Sequence, residues 1–441
     1  MIVAAVLTWI LPAGQYDRQL DAATHRDVVV PGTFHAVEPQ PVGPLATLAA
    51  VPRGIIDAAD VIALVFLVGG AFVVVDRTGA LRAGLAALVR ALRGRHALVI
   101  PLVASAFALG GITENMQEEI IALVPVLLLL ARRTGFDAMT VVAMSLGAAM
   151  VGSAFSPMNP FQVLIAQKLA QVPLYSGWPF RTIFLITALA IWIAGTMHYA
   201  ARVQADAAAA GNARAQPGDL QSDQGGLGAT RTAFIGIIVI AAFALFIFGL
   251  ARLGWGFIEM SAIFFIMGVL AGLVGRLGWN GTAQAYTDGF RDMAYAALLI
   301  GFARAIYVVL SDGLIVDTIV HGLFQPLEEW PRSAAALGMM GVQALIHIPV
   351  PSVSGQAVLT LPILVPLSDL LGITRQITIL AYQFGAGLSD ILTPTNGALM
   401  AILAAAGVRY DAWLKFAVPL WAALMVLATI AIVVALAIGL A

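Results

Sequence analysis

SAFSPMNPF, residues 153–161, interrupts one of the most apolar regions of a 441-residue chain with two serines, two prolines and an asparagine. DILTPTNGA, residues 390–398, breaks a second apolar run with Asp390, Thr393, Pro394, Thr395 and Asn396. A proline removes a backbone donor and clashes with the carbonyl four residues back, so Pro157 and Pro394 leave carbonyls unpaired midway along each run. In hydrocarbon such groups are costly, and unwound backbone persists only where protein, water or a ligand satisfies it. A proline kink satisfied by its neighbours accounts for one such break; two matched breaks point to a shared site.

The breaks belong to a repeat. At one constant offset, 394 − 157 = 237, Pro125 falls on Pro362, Gly135 on Gly372, Pro157 on Pro394 and Asn159 on Asn396. Apolar composition alone does not produce these matches, so the repeated unit is a hairpin followed by a broken helix. The first copy takes residues 1–203, with its hairpin at about 97–133 and its broken helix at about 137–172. The second takes 257–441, with a hairpin at about 335–370 and a broken helix at about 374–405. Between them lie a polar linker, 204–229, and a connecting helix within 230–256 whose extra span inverts the second copy. The hairpin arms run only about 13–15 apolar residues, short of the ~20 that cross a bilayer, and so read as re-entrant.

Charge supports the inversion. Residues 76–96 carry five arginines against one acid, whereas 311–333 carry four acids against one arginine. The positive-inside rule puts the first segment on the cytoplasmic face as an amphipathic helix, together with the linker. Segments 13–57 and 311–333 are then periplasmic, the former with hairpin strands around RDVVVPGTFHAV, residues 26–37. The opening MIVAAVLTWILPAG has about a dozen apolar residues before Pro12, which reads as a shortened start; a cleaved signal peptide would carry a positive n-region. The fold class expected is an all-α integral membrane protein with an inverted repeat, two re-entrant hairpins and two broken helices, as in many secondary transporters.

Composition agrees: 61% of residues are hydrophobic and 11% charged. A net charge of −1 with no basic stripe argues against nucleic acid as a partner. There is no cysteine, no HExxH spacing and no phosphate-binding GxxxxGK[ST] loop, so thiolate chemistry and a nucleotide-driven pump are excluded within the chain. An enzyme would need a nucleophile with a base or a metal triad, and neither stands out. A channel built of the same elements is the further alternative to a carrier.

Ser153, Ser156 and Asn159 supply polar partners at the first break; Asp390, Thr393, Thr395 and Asn396 do so at the second. Such oxygen-rich sets suit a hard cation, so Na+ is expected near Ser156, Asn159, Thr393 and Asn396, with H+ as the other coupling ion. Half-helix N-termini after the breaks offer positive dipoles to an anionic group. The offset pairs the tip residues Asn115 with Ser352, Glu118 with Gly355 and Glu119 with Gln356. A carboxylate within the membrane costs on the order of 2.5 to 3.5 kcal/mol, so Glu114, Glu118 and Glu119 call for partners: an ion, a substrate ammonium or guanidinium, or a salt bridge. Arg304 lies inside a span, where it either faces a substrate carboxylate or neutralises a tip glutamate. His347 is either a structural hydrogen-bonder or a proton carrier.

Four blocks, ENMQEEIIALVPVLL, SPMNPFQVLIAQ, IGFARAIYVVLSDGLIVDTIV and SDILTPTNGALMAILAAAGVRYDAWLKF, resemble the YfcC-like transporters, grouped with the anaerobic C4-dicarboxylate (DcuC-like) carriers in the ion transporter superfamily. The resemblance implies an inner-membrane homodimer in the lipid bilayer, each protomer with a scaffold and a moving transport domain in an elevator mechanism. It also implies that ion and substrate carboxylate bind at Thr113 to Asn115, Ser156 to Asn159, Ser352 to Ser354 and Thr393 to Asn396. The acidic first tip departs from that pattern, because dicarboxylates would meet like charge. The expected function is secondary active transport of a small charged solute: a basic amino acid in arginine/ornithine-type antiport or ion-coupled symport, with a succinate- or fumarate-type dicarboxylate as the alternative. The substrate-binding set is Asn115, Glu118, Glu119, Ser156, Asn159, Arg304, Ser352, Ser354, Thr395 and Asn396; the ion-coupling set is Thr113, Glu114, Ser153, Asp390 and Thr393.

Overall fold

Apolar runs in which every backbone group must find its partner within the segment fold as helices. The computed structural model describes residues 1–21, 26–80, 98–209, 229–253 and 255–440. Its helices are α1 (Ile2–Ile10), α2 (Pro44–Asp57), α3 (Ala59–Arg77), α4 (Val99–Glu114), α5 (Glu118–Thr134), α6 (Ala138–Ala154), α7 (160–169) and α8 (Trp178–Ala209) in the first half. The second half holds α9 (Ala229–Leu253), α10 (Phe257–Val274), α11 (Gly278–Asp312), α12 (Val316–Phe324), α13 (Arg332–Ile346), α14 (Val353–Leu370), α15 (Arg375–Ser389), α16 (Gly397–Ala406) and α17 (Tyr410–Ile438). Six of the described helices are long and apolar enough to cross a membrane. The amphipathic connector expected at 76–96 and the linker expected at 204–229 fall mostly outside the described residues.

The repeat is visible in backbone geometry. Pro125 lies inside α5 and Pro362 inside α14. Each helix is followed by a glycine in the left-handed region, Gly135 at φ 78° as the cap of α5 and Gly372 at φ 64° just after Leu371, the cap of α14, where a side chain would be strained. Each hairpin packs on the broken helix of its own copy, α4 on α6 and α13 and α14 on α15. The arms of the first hairpin have 16 and 17 residues, about 24 to 26 Å at 1.5 Å per residue, less than the ~30 Å hydrocarbon core. α14, within the hairpin expected at about 335–370, has 18 residues and is one of the six long apolar helices.

α11, the span that holds Arg304, is 35 residues long and begins at Gly278. Its first turns, GWNGTAQAYTDGFRDM, are too polar to register as a span, yet they continue the same helix. α6 carries a π-helical turn, Ala143–Gly147. In that turn the Ala143 carbonyl accepts both from the Ala148 N–H and from the Trp192 indole at 2.8 Å, and a Cβ on Gly147 would sit 2.2 Å from the Trp192 ring. The bulge makes room for a buried tryptophan on α8.

The apolar core divides. One body unites α4 to α6, α8, α13 to α17 and their contacts, with Trp192, Phe155, Phe384 and Trp413 at its centre. Another gathers α3, α9, α10 and the start of α11 around Phe72, Phe264 and Tyr286. The two bodies meet where α11 packs on α16 and α3 on α5. β2 (Arg18–Asp21) pairs antiparallel with β3 (Arg26–Val29), and β1 (Gly14–Gln15) with β4 (His35–Ala36), so strands form within 26–37 but each pairs with an earlier strand and not with the other, and Val29 of β3 joins the first body.

Candidate functional site

The first tip and the first break hold each other. α4 ends at Asn115 in the left-handed conformation, φ 55°, which asparagine tolerates better than most residues. Its last-turn carbonyls are met from the break: Asn159 Nδ2 donates at 2.7 Å to Gly111 O, which also accepts from Asn115 N, and Ser156 Oγ donates to Ile112 O at 2.8 Å. Asn159 Oδ1 in turn accepts from the N–H groups of Phe161 and Gln162 at 2.9 and 3.0 Å, capping α7. Ser153 donates to Asn115 Oδ1. Close approach makes this possible, since a Cβ on Gly111 would lie 2.0 Å from Ala149 O.

The second copy repeats the plan with altered chemistry. Thr395 Oγ1 donates to Ile348 O at 2.7 Å, and Ile348 is the offset counterpart of Gly111. Asn396 caps α16 through Leu399 N at 2.9 Å, while its Nδ2 reaches Asp390 Oδ1 at 2.6 Å and Gln117 Oε1 at 3.0 Å. Gln117 Nε2 donates to Asp390 Oδ2 at 3.0 Å, tying the first tip to the second break. Ser352 caps α14 by accepting from Gly355 N at 3.2 Å.

Between the two bodies lies a cavity of about 490 Å³. Of the expected residues, Asn115, Glu118, Glu119, Arg304, Ser352, Ser354, Asp390, Thr395 and Asn396 line it. Thr113, Ser153, Ser156, Asn159 and Thr393 are not on its wall. Thr113 is exposed, with its hydroxyl on Leu109 O at 2.9 Å. Ser153, Ser156 and Asn159 are buried behind the wall, where they hold the tip in place. The side chain of Glu114 lies outside what the structure describes.

Arg304 does not neutralise a tip glutamate. It pairs with Asp57 at the end of α2 and stacks over Tyr307, 5.1 Å from the ring centroid. Asp57 and Asp60 join Glu118, Glu119 and Asp390 on the wall, giving five carboxylates against one guanidinium. Glu118 and Glu119 occupy the first turn of α5, where the helix dipole favours negative charge, and Glu119 Oε2 accepts from Gln117 N at 3.1 Å. The first turns of α5, α14 and α16 all face this cavity. Arg304 and Tyr307 also line a second cavity, of about 480 Å³, beside Arg18 and Asp317.

The residues expected around Na+ fit it poorly. The side-chain oxygens of Ser156, Asn159 and Asn396 are taken by backbone N–H groups, and both amide nitrogens turn toward the neighbouring oxygens. Thr393 gives its hydroxyl to Ser389 O at 2.7 Å. These groups serve as caps, and no cation is assigned to them. Among the described residues no group of three His, Cys, Asp or Glu side chains is arranged to hold a metal.

Sequence reasoning missed the glutamines. Besides Gln117, Gln383 donates to Ser156 O at 2.8 Å and accepts from buried Arg181 Nε at 3.0 Å, while Gln376 Oε1 accepts from Arg181 Nη2 at 2.9 Å. A glutamine inside an apolar run is the signal that was available, since such a group needs a partner.

The chain matches the C4-dicarboxylate anaerobic carrier (DcuC) family over residues 1–437. It belongs to that family. The DcuC match spans both copies of the repeat and makes the protein a multi-pass membrane transporter. YfcC of Escherichia coli (strain K12), provisionally named a basic amino acid antiporter, is 33% identical over 475 residues, covering 98% of this chain and 93% of that one. An uncharacterized protein of Haemophilus influenzae (strain Rd) is 29% identical over 481 residues, covering 98% and 94%. Among solved structures, the YdaH transporter of Alcanivorax borkumensis is 17% identical with a TM-score of 0.46, covering 99% of this chain and 97% of that one. MtrF of Neisseria gonorrhoeae, titled as illuminating a class of antimetabolite efflux pumps, is 17% identical with a TM-score of 0.40, covering 98% and 93%.

Proposed function

We propose that this DcuC-family transporter is a secondary carrier of a basic amino acid, working by exchange. The observation that carries the reading is the cavity: five carboxylates against one guanidinium, with three helix N-termini at its edge. A zwitterion with a cationic side chain matches both features. Its α-carboxylate meets the N–H groups that open α14 and α16, with the Ser354 and Thr395 hydroxyls beside them. Its ammonium and side-chain cation meet Glu118, Glu119 and, across the cavity, Asp60. A dianion would instead meet like charge on most of the wall, although the family's name supports a C4-dicarboxylate as the second reading.

The division of the core into two bodies, with the cavity at their junction, supports an elevator movement of the hairpins and broken helices against α2, α3, α10 and α11. An inner-membrane homodimer completes the proposal. Proteoliposomes preloaded with arginine test it: external ornithine or lysine should drive counterflow of label, and external succinate or fumarate should not. Dicarboxylate exchange without amino acid exchange would overturn the assignment, and conductance far above carrier turnover would favour a channel.

A further inference from the structure

His347 and Asp390 form a buried pair in the second repeat, 0% and 3% exposed, with His347 Nε2 at 2.8 Å from Asp390 Oδ1. The directions of the surrounding hydrogen bonds fix what this pair holds. Gln356 Nε2 donates to the backbone carbonyl of Gln343 at 2.7 Å. A carbonyl only accepts, so the other end of that amide, Oε1, faces His347 Nδ1 at 2.9 Å, and Nδ1 must donate. Asp390 is ringed by donors: Asn396 Nδ2 on Oδ1 and Gln117 Nε2 on Oδ2. Asn396 is oriented by its cap on Leu399, and Gln117 by accepting from Asn396 at 3.0 Å. With Nδ1 donating to Gln356, the 2.8 Å contact between Nε2 and Oδ1 would set lone pair against lone pair unless a hydrogen lies between them, and the two amide donors on the carboxylate favour that hydrogen on Nε2, so both ring nitrogens carry hydrogen. The arrangement stores one proton between His347 and Asp390.

We propose that this pair is the coupling site of the carrier, and that the ion it carries is a proton. The first repeat has no equivalent, because 347 − 237 = 110 and 390 − 237 = 153 are Gly110 and Ser153. Each protomer therefore holds one such proton. Nδ1 keeps its hydrogen on Gln356, so the proton leaves from Nε2, passing through Asp390, which lines the cavity. His347 becomes neutral, Asp390 stays a carboxylate, and the pair changes from no net charge to −1. The charged groups facing it are Glu118 and Glu119 on α5, Asp60 on α3, and the Asp57 and Arg304 pair from α2 and α11. Among the described residues, α14 and α16 contribute uncharged partners, Gln356 and Asn396. Losing the proton makes an already acidic cavity more negative and improves it for a cation. Proton and cationic substrate then exclude each other, which is one-for-one antiport. This step rests on the basic amino acid reading; the proton site itself does not.

Two measurements separate them. In nanodiscs, the 15N spectrum of His347, assigned by its loss in His347→Gln, should show both nitrogens protonated near neutral pH without any substrate; a neutral tautomer would overturn the proton site. In proteoliposomes, an imposed pH difference should accumulate arginine about tenfold per unit in the wild type. His347→Gln, which keeps a polar group facing Gln356 and Asp390, should retain arginine/arginine counterflow while losing accumulation and the substrate-driven alkaline or acid shift of trapped pyranine. Unchanged proton movement in His347→Gln would sink the coupling role. An imidazolium signal with no arginine flux in the wild type would leave the proton site standing and remove the substrate assignment.

Discussion

Replacing Asn159 by alanine deletes four hydrogen bonds at a fully buried position: two from Nδ2 to Gly111 O and Ser153 Oγ, and two into Oδ1 from Phe161 N and Gln162 N. Gly111 O keeps a partner, Asn115 N at 3.2 Å, so its loss is about one net hydrogen bond, ~1 kcal/mol. The cap on α7 is worth another ~1 kcal/mol. Gln162 N–H is left buried without its acceptor, at about 1 to 2 kcal/mol. Asn159→Ala should therefore destabilise the protein by roughly 3 to 4 kcal/mol. Asn159→Ser, which restores a capping oxygen but does not reach Gly111, should recover about half of that. Melting followed by intrinsic fluorescence in detergent, supported by unfolding in mixed micelles, should order the proteins as wild type, serine variant, alanine variant. An alanine variant that melts with the wild type, or a serine variant no better than alanine, would refute the capping role.

Glu118→Gln and Glu119→Gln should each raise the concentration of arginine needed for half-maximal counterflow about tenfold, the scale of one charge-assisted contact of about 1.4 kcal/mol; unchanged values for both would take the first tip out of the binding site. Gly111→Ala puts a methyl 2.0 Å from Ala149 O and should cost about 1 to 3 kcal/mol through overpacking, seen as a lower melting temperature. Tyr16 lies outside the membrane-spanning helices, and burial, with Asp317 and Glu328 nearby, pushes its phenol up to about 12. A raised value means its stabilisation is fully present below pH ~10 and is lost as the pH rises toward 12. Melting temperature should fall less across that range in Tyr16→Phe than in the wild type; parallel curves would show that Tyr16 does not titrate there.

The features that were legible in the sequence act through the backbone. Pro157 and Pro394 stand with Ser, Thr and Asn side chains at points where the helix is broken, and Gly135 and Gly372 adopt the left-handed backbone in both copies for the same steric reason. Asn159 and Asn396 were rightly placed at the breaks, but the first turned out to work behind the cavity wall and the second on it. Spacing gives no information on which way a side chain turns once an unwound segment bends. The ion-pair partner of Arg304, Asp57, sits 247 positions away and becomes a neighbour only through the packing of α2 on α11. Gln117 and Gln383 mark themselves as polar groups in apolar surroundings, but which oxygen each one meets is set by the packing of distant segments.

The bonds that fasten each tip to its break also limit how the transporter opens. Ile112 O, Gly111 O and Ile348 O are latched from Ser156, Asn159 and Thr395, and Gln117 fastens the first tip to Asp390 and Asn396 of the other repeat. A hairpin that swung out like a hinged flap would undo its own latch in a low-dielectric setting, at about 0.5 to 1.5 kcal/mol per bond with a further desolvation penalty for each orphaned group. On the proposed elevator reading, every latch stays shut and the hairpins and broken helices slide as one fastened assembly past the α2, α3 and α11 side of the cavity.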